Sequence, residues 1–169
     1  MSILDAIDAL HTVFDKDPSR AVVRLRTEAR LEEGTAVATR AGSHEFTVDE
    51  PKSLGGTATG PNPVQLVLAS LASCQAITYR FWSEMLGIPF DAITVKVEGD
   101  VDQRGFLGFE EGVPAGAGAV RCTVTIEGPD TPERYEELRR SVDAHCPVLD
   151  VFTTALDVER VLEVGTSSE

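Results

Sequence analysis

From Pro63 to Tyr79 the chain carries no charge, only Gln, Ser and Thr dispersed among apolar residues, and this run most narrows what it can fold into. Asn62 suits an N-cap and Pro63 the first helical position, where a missing N–H costs nothing. The spacing predicts a helix that continues past Arg80 and Glu84 to Leu86 and stops at Gly87. The run is too short and too polar to span a bilayer, which needs about 20 predominantly apolar residues. Val64, Val67, Leu68, Leu71, Cys74, Ile77, Phe81 and Met85 cover much of the helix circumference, so most of its sides must be enclosed. A sheet wrapping it, shared between two chains, is the expected cover.

The flanking segments read as shorter elements. Ile3, Ile7, Leu10 and Phe14 recur at helical spacing and predict an amphipathic helix over Ser2 to Phe14. From Ala21 the period becomes two: Val23, Leu25, Ala29 and Leu31 alternate with charged residues as in a strand with one wet face. Thr35 to Thr39 and Glu45 to Val48 predict two further strands of an antiparallel meander. Asp49 to Gly60, rich in Pro, Gly, Ser and Thr, predicts a loop leading to the long helix. After that helix a strand follows over Ile93 to Glu98, and another with Val120, Cys122, Val124 and Ile126 on one face. The glycine-rich stretch 102–119 between them gives no legible conformation. Thr131-Pro132 opens a second helix, which ends at Cys146 because a residue before proline is pushed out of helical geometry. A short apolar turn or helix, Val148 to Leu156, and a closing strand near Val158 to Val164 complete the chain. No internal repeat or interdomain linker is visible, so a single domain over 1–169 is expected, with 1–18 as an N-terminal helical extension.

Charge excludes several functions. The chain has 169 residues and a formal net charge of -13, and it lacks the clustered Lys and Arg that phosphate contact needs, so neither nucleic acid nor an acidic lipid surface is an expected partner. Asp5 and Asp8 interrupt the N-terminus, so no secretory signal is visible and a cytoplasmic location is expected. Three cysteines in a chain of this length do not make a structural disulfide framework. No Cys-x-x-Cys or His-x-x-x-His spacing accompanies His11, His44 and His145, and Gly55-Gly56 lacks the lysine of a P-loop, so neither metal nor cofactor is expected. Ser70 and Ser73 lack the elbow of a serine hydrolase.

The cysteines carry the remaining chemistry. Cys74 sits in the long helix among small or polar neighbours, Ala72, Ser73, Gln75 and Ala76, which leave room beside its sulfur for a ligand or another chain. It reads as a buried apolar thiol or as a reactive one, and activation would require a nearby cation or hydrogen-bond donor. Cys146, between His145 and Pro147 at a helix end, reads as a packed thiol or a reachable one. Cys122 alternates with Val120 and Val124 and is expected to be packed and inert. If Cys74 and Cys146 meet, the chain owns a reversible dithiol.

The segment GGTATGPNPVQLVLASLASC, Gly55 to Cys74, followed by AHCPVLD, Ala144 to Asp150, resembles the OsmC/Ohr family of organic hydroperoxide reductases and osmotically inducible proteins. The resemblance implies an OsmC-like α+β fold, a curved antiparallel sheet around long central helices, in an intertwined homodimer with two active sites at the subunit interface. It implies that Cys74 is the peroxidatic and Cys146 the resolving cysteine, with a small organic hydroperoxide as substrate and a cellular dithiol as reductant. Members also carry a glutamate just after the helix-opening Asn-Pro and an arginine in an early strand, a pair that orients and stabilises the thiolate. Here Val64 stands at the first position and Thr35 near the second, leaving Arg26, Arg30 and Arg40 as possible substitutes. A thiol peroxidase is the leading reading. Its rival is a binding protein with little or no peroxidase activity, holding a lipid-like or other small molecule in an apolar crevice near Cys74. A purely structural dimer module explains neither cysteine.

Overall fold

In a computed structural model, which describes residues 1–165, the uncharged run forms the helix its ends announce. The Asn62 side chain accepts from the Gln65 backbone N–H at 2.8 Å and the Gln65 side chain accepts from the Asn62 N–H at 2.9 Å. This reciprocal box satisfies two of the donors that a helix start leaves without partners. The helix spans Pro63–Leu86 and ends on Gly87, whose φ of 61° is a left-handed cap that an L side chain rarely adopts.

In chain order the elements are α1 (Ile3–Lys16), β1 (Thr27–Leu31), β2 (Val37–Ala41), β3 (His44–Val48), α2 (Pro63–Leu86), β4 (Ala92–Val101), α3 (Gln103–Phe106), β5 (Ala117–Glu127), α4 (Pro132–His145) and α5 (Pro147–Thr153). The strands make two antiparallel sheets, β1-β2-β3 and β4-β5. The first is registered by Thr27 opposite Ala41 and Val37 opposite Val48, the second by Ala92 opposite Glu127, with an irregularity at Asp100/Val101. The core lies where α2, α4 and the second sheet meet. Tyr79, Ile88, Phe90, Leu138 and Val142 are buried there, and Ile93, Val124 and Ile126 from the sheet pack against them.

Two strand expectations are corrected. The alternation that starts at Ala21 becomes a strand only from Thr27, because β2 ends at Ala41 opposite Thr27 and has no residues left to pair with 22–26. Val22, Val23 and Leu25 are consequently exposed. Nor does 158–164 form a strand among the described residues: Val158, Val161, Leu162 and Val164 stand exposed without a hydrogen-bonded neighbour strand. Alternation marks a segment able to pair and does not supply the partner. The illegible stretch 102–119 opens with the short α3, and Arg104 ties it together by pairing with Asp102 and Glu110 at 2.5 Å each. The N-terminal segment is helical as expected and none of its residues is fully buried.

The loop before α2 is organised around one carboxylate. Asp49, almost wholly buried, accepts from the hydroxyls of Thr35 (2.6 Å), Thr57 (2.6 Å) and Thr59 (3.1 Å). It also accepts from the backbone N–H groups of Glu50 (2.8 Å), Thr57 (2.9 Å) and Thr59 (3.2 Å). The loop is pressed so closely on β3 that a Cβ on Gly60 would lie 2.1 Å from the Thr47 carbonyl oxygen. The carboxylate thus fixes the approach to Asn62 and with it the start of α2.

These donors, the Thr35 and Thr57 hydroxyls foremost, hold the Asp49 carboxyl far below its ordinary range. A depressed folded-state pKa gives stability that is complete above the unfolded value, about pH 4, and lost as pH falls below it. Asp49→Asn should lower stability at pH 7 and flatten the decline below pH 4 in urea midpoints measured from pH 2.5 to 7 (~). An unchanged slope would assign the acid sensitivity to other carboxylates.

Candidate functional site

Two helices bring the thiols together. Cys74 lies mid-way along α2, and the Thr78 hydroxyl one turn on donates to its carbonyl at 2.8 Å. Cys146 joins two helices: it caps α4 and precedes Pro147, the first residue of α5, with φ -80° and ψ 110°. Burial of Leu138 and Val142 fixes α4 against α2, and the Cys146 thiol then lies 3.5 Å from Cys74 Sγ, donating to it. The residues are 72 positions apart in sequence. Both thiols are free, at a separation that must shrink to about 2.05 Å for a disulfide.

Exposure divides the pair. Cys146 is 2% exposed, which decides its sequence alternatives in favour of a packed thiol, whereas Cys74 is partly open to solvent. A small reagent therefore meets Cys74 first. Burial pushes the Cys74 thiol above its ordinary value and the neighbouring Cys146 pushes it further, while the backbone N–H of Val148 and the Thr78 hydroxyl pull it down. None of these groups is a cation.

The residues expected to activate the thiolate lie elsewhere in this chain. Thr35 is hydrogen-bonded to Asp49. Arg30 pairs with Glu32 and Arg40 with Glu28, each at 2.7 Å, on the β1-β2-β3 sheet, and Arg26 precedes that sheet. Val64 lines an apolar cleft of about 800 Å³ between the first half of α2, the start of β5 and α5. Leu68, Leu71, Val120, Leu149 and Phe152 contribute to the same wall, and Leu71 stands one turn before Cys74.

Cys122 is corrected from packed to exposed: it forms part of the cleft wall, because among the described residues none covers this part of β5. Its apolar surroundings, with Asp143 and Cys146 nearby, push its thiol up. Of the histidines, His11 faces Asp15 at 3.2 Å, and the His145 ring lies against Trp82 with Nδ1 2.7 Å from the Ser141 carbonyl oxygen. Among the described residues no group of three or more His, Cys, Asp or Glu could hold a metal ion, and no helix is long and apolar enough to cross a membrane.

Sequence reasoning missed Asp49, Trp82, Thr78 and the Val148 N–H. Thr78 and Trp82 carried a signal, since they follow Cys74 at spacings of four and eight along one helix stripe. Asp49 carried none: its partners come from two separate segments that only the fold joins.

A family model described as OsmC-like protein matches residues 56–160. Among solved structures, the OsmC-like protein from Mycoplasma pneumoniae superposes with a TM-score of 0.68 at 20% identity, covering 78% of this chain and 88% of that one. The organic hydroperoxide resistance protein OsmC from Legionella pneumophila gives 0.59 at 20% identity, covering 78% and 90%. OhrB of Bacillus subtilis, an organic hydroperoxide resistance protein, gives 0.50 at 21% identity, covering 76% and 90%. At these identities the likeness is one of fold. No curated protein matches the sequence.

The raised Cys74 thiol predicts how its reactivity depends on pH. The thiolate is the nucleophile, so alkylation by iodoacetamide should rise about tenfold per pH unit through neutrality and level off only above the ordinary cysteine value of about 8.5. A plateau already reached at pH 6 (~) would mean that a cation activates this sulfur.

Proposed function

Because the chain belongs to the OsmC-like protein family, we propose that it reduces organic hydroperoxides through a dithiol–disulfide cycle of Cys74 and Cys146. The observation that carries this reading is the 3.5 Å approach of the two sulfurs, one reachable from solvent and one buried behind it. In the first step the Cys74 thiolate attacks the outer oxygen of the O–O bond; the bond breaks, and the alkoxide takes a proton and leaves as an alcohol. Cys74 is then a sulfenic acid. Cys146 Sγ attacks Cys74 Sγ, water leaves with the Cys146 proton, and the disulfide forms. An external dithiol returns both sulfurs to thiols by exchange. A cytoplasmic setting, where such dithiols are maintained, fits three free cysteines.

The working unit in this proposal is a homodimer. Ile77, Phe81 and Met85 form an exposed apolar stripe on α2, at 59%, 41% and 39%. The segments 22–26 and 158–164 present further exposed apolar residues. A second copy offers the same surfaces in return, as a two-fold interface requires. Phe81→Glu should shift the protein from dimer to monomer in light scattering; an unchanged mass would move the interface off this stripe.

The rival, a binding protein with little turnover, has its own support. Val64 adds apolar surface to the cleft, Thr35 is committed to Asp49, and no cation is among the groups that shift Cys74. Stopped-flow oxidation of the reduced protein by an alkyl hydroperoxide separates the two. The peroxidase reading predicts oxidation at least about a hundredfold faster than free cysteine, in line with typical acid–base and positioning effects. Cys74→Ser should abolish it and Cys122→Ser should preserve it. Oxidation at the rate of free cysteine, or equal effects of the two variants, would favour the binding protein.

A further inference from the structure

The junction between α4 and α5 touches α2 at two places. Cys146 approaches Cys74, while the residue just before it, His145, lays its ring on Trp82 with centroids 4.3 Å apart and planes at 32°. Trp82 lies two turns beyond Cys74, roughly 12 Å along the helix axis. Neighbouring residues thus reach in opposite directions along one helix.

Both partners of the stack are themselves held. His145 Nδ1 lies 2.7 Å from the Ser141 carbonyl oxygen one turn back, and since a carbonyl only accepts, this nitrogen carries the proton. Trp82 packs on the buried cluster of Tyr79, Ile88, Phe90, Leu138 and Val142. An exposed histidine is therefore oriented from its own helix against a platform on the helix that carries Cys74.

We infer that the His145–Trp82 stack is a positioning pair that sets the reach of Cys146 toward Cys74. Resting on the dithiol reading above, the inference assigns the control of disulfide closure to a contact that touches neither sulfur. Closure moves the sulfurs from 3.5 Å to about 2.05 Å. Pro147, with its fixed φ, restricts adjustment on the far side of Cys146, so the displacement comes from the end of α4. The stack confines that end to a path along which the two thiols meet.

The test uses diamide, which needs no peroxidase activity. Cys74 thiolate adds across the N=N bond; Cys146 Sγ then attacks Cys74 Sγ, the S–N bond breaks, and the hydrazine leaves carrying both thiol protons. Thiol counting follows the loss of the pair, and emission of Trp82, the single tryptophan, follows movement of the ring stacked on it. His145→Ala should slow closure about three- to tenfold, the range expected for loss of an aromatic pair. His145→Phe, which keeps a ring on Trp82, should recover most of the rate. Alkylation of Cys74 in a Cys146→Ser background should not respond to His145→Ala, which separates reach from thiol reactivity. Closure at the wild-type rate in His145→Ala, or a Phe variant no better than the Ala variant, would overturn the inference. If diamide closes the pair in a His145-dependent way while an alkyl hydroperoxide leaves Cys74 reduced, the peroxidase reading fails and this one stands.

Discussion

The packing of α4 onto α2 is the interaction on which the rest depends. Leu138 and Val142 are fully buried against Tyr79 and Ile88, and this one apolar seam fixes the end of α4. Loss of a buried leucine from such a seam typically costs about 2–5 kcal/mol. Because Cys146 follows the last residue of α4 directly, the position of its sulfur is set by hydrophobic burial several residues away.

The other end of α2 is fixed by polar means. Asp49 gathers three threonine hydroxyls and three backbone N–H groups, and the loop so ordered delivers Asn62 as the cap of the helix. Burying a carboxylate is unfavourable unless donors surround it, and here they do. The same constellation explains why Thr35 does not serve Cys74: its hydroxyl already belongs to the loop. With an apolar wall at Val64 nearby and no cation among the groups that shift it, burial holds the Cys74 thiol above its ordinary value. Contact between the sulfurs and activation of Cys74 are therefore separate properties, and this chain provides the first more plainly than the second.

Much of this was legible in the residues. The α2 limits were written in Asn62-Pro63 and Gly87, the break at Cys146 in the proline after it, and the mixed α+β class in the family resemblance. The motif ending in Cys74 and the one around Cys146 carried the family resemblance, and the family model covers both. What escaped was whatever depends on partners distant in sequence. The alternating segments 22–26 and 158–164 have the pattern of strands without a paired neighbour among the described residues. Cys122 has the alternation of a packed residue, yet the face it occupies is left uncovered and it borders the cleft. Asp49 looked like one acid among many because its six donors converge only in three dimensions.

Peptide mapping after addition of one equivalent of an alkyl hydroperoxide to the fully reduced protein tests the central claim most directly. The account predicts a single linked pair of peptides, one containing Cys74 and the other Cys146, formed within one chain and with Cys122 still a free thiol. Recovery of Cys74 as an unmodified thiol, or of a linkage through Cys122 instead, would contradict it.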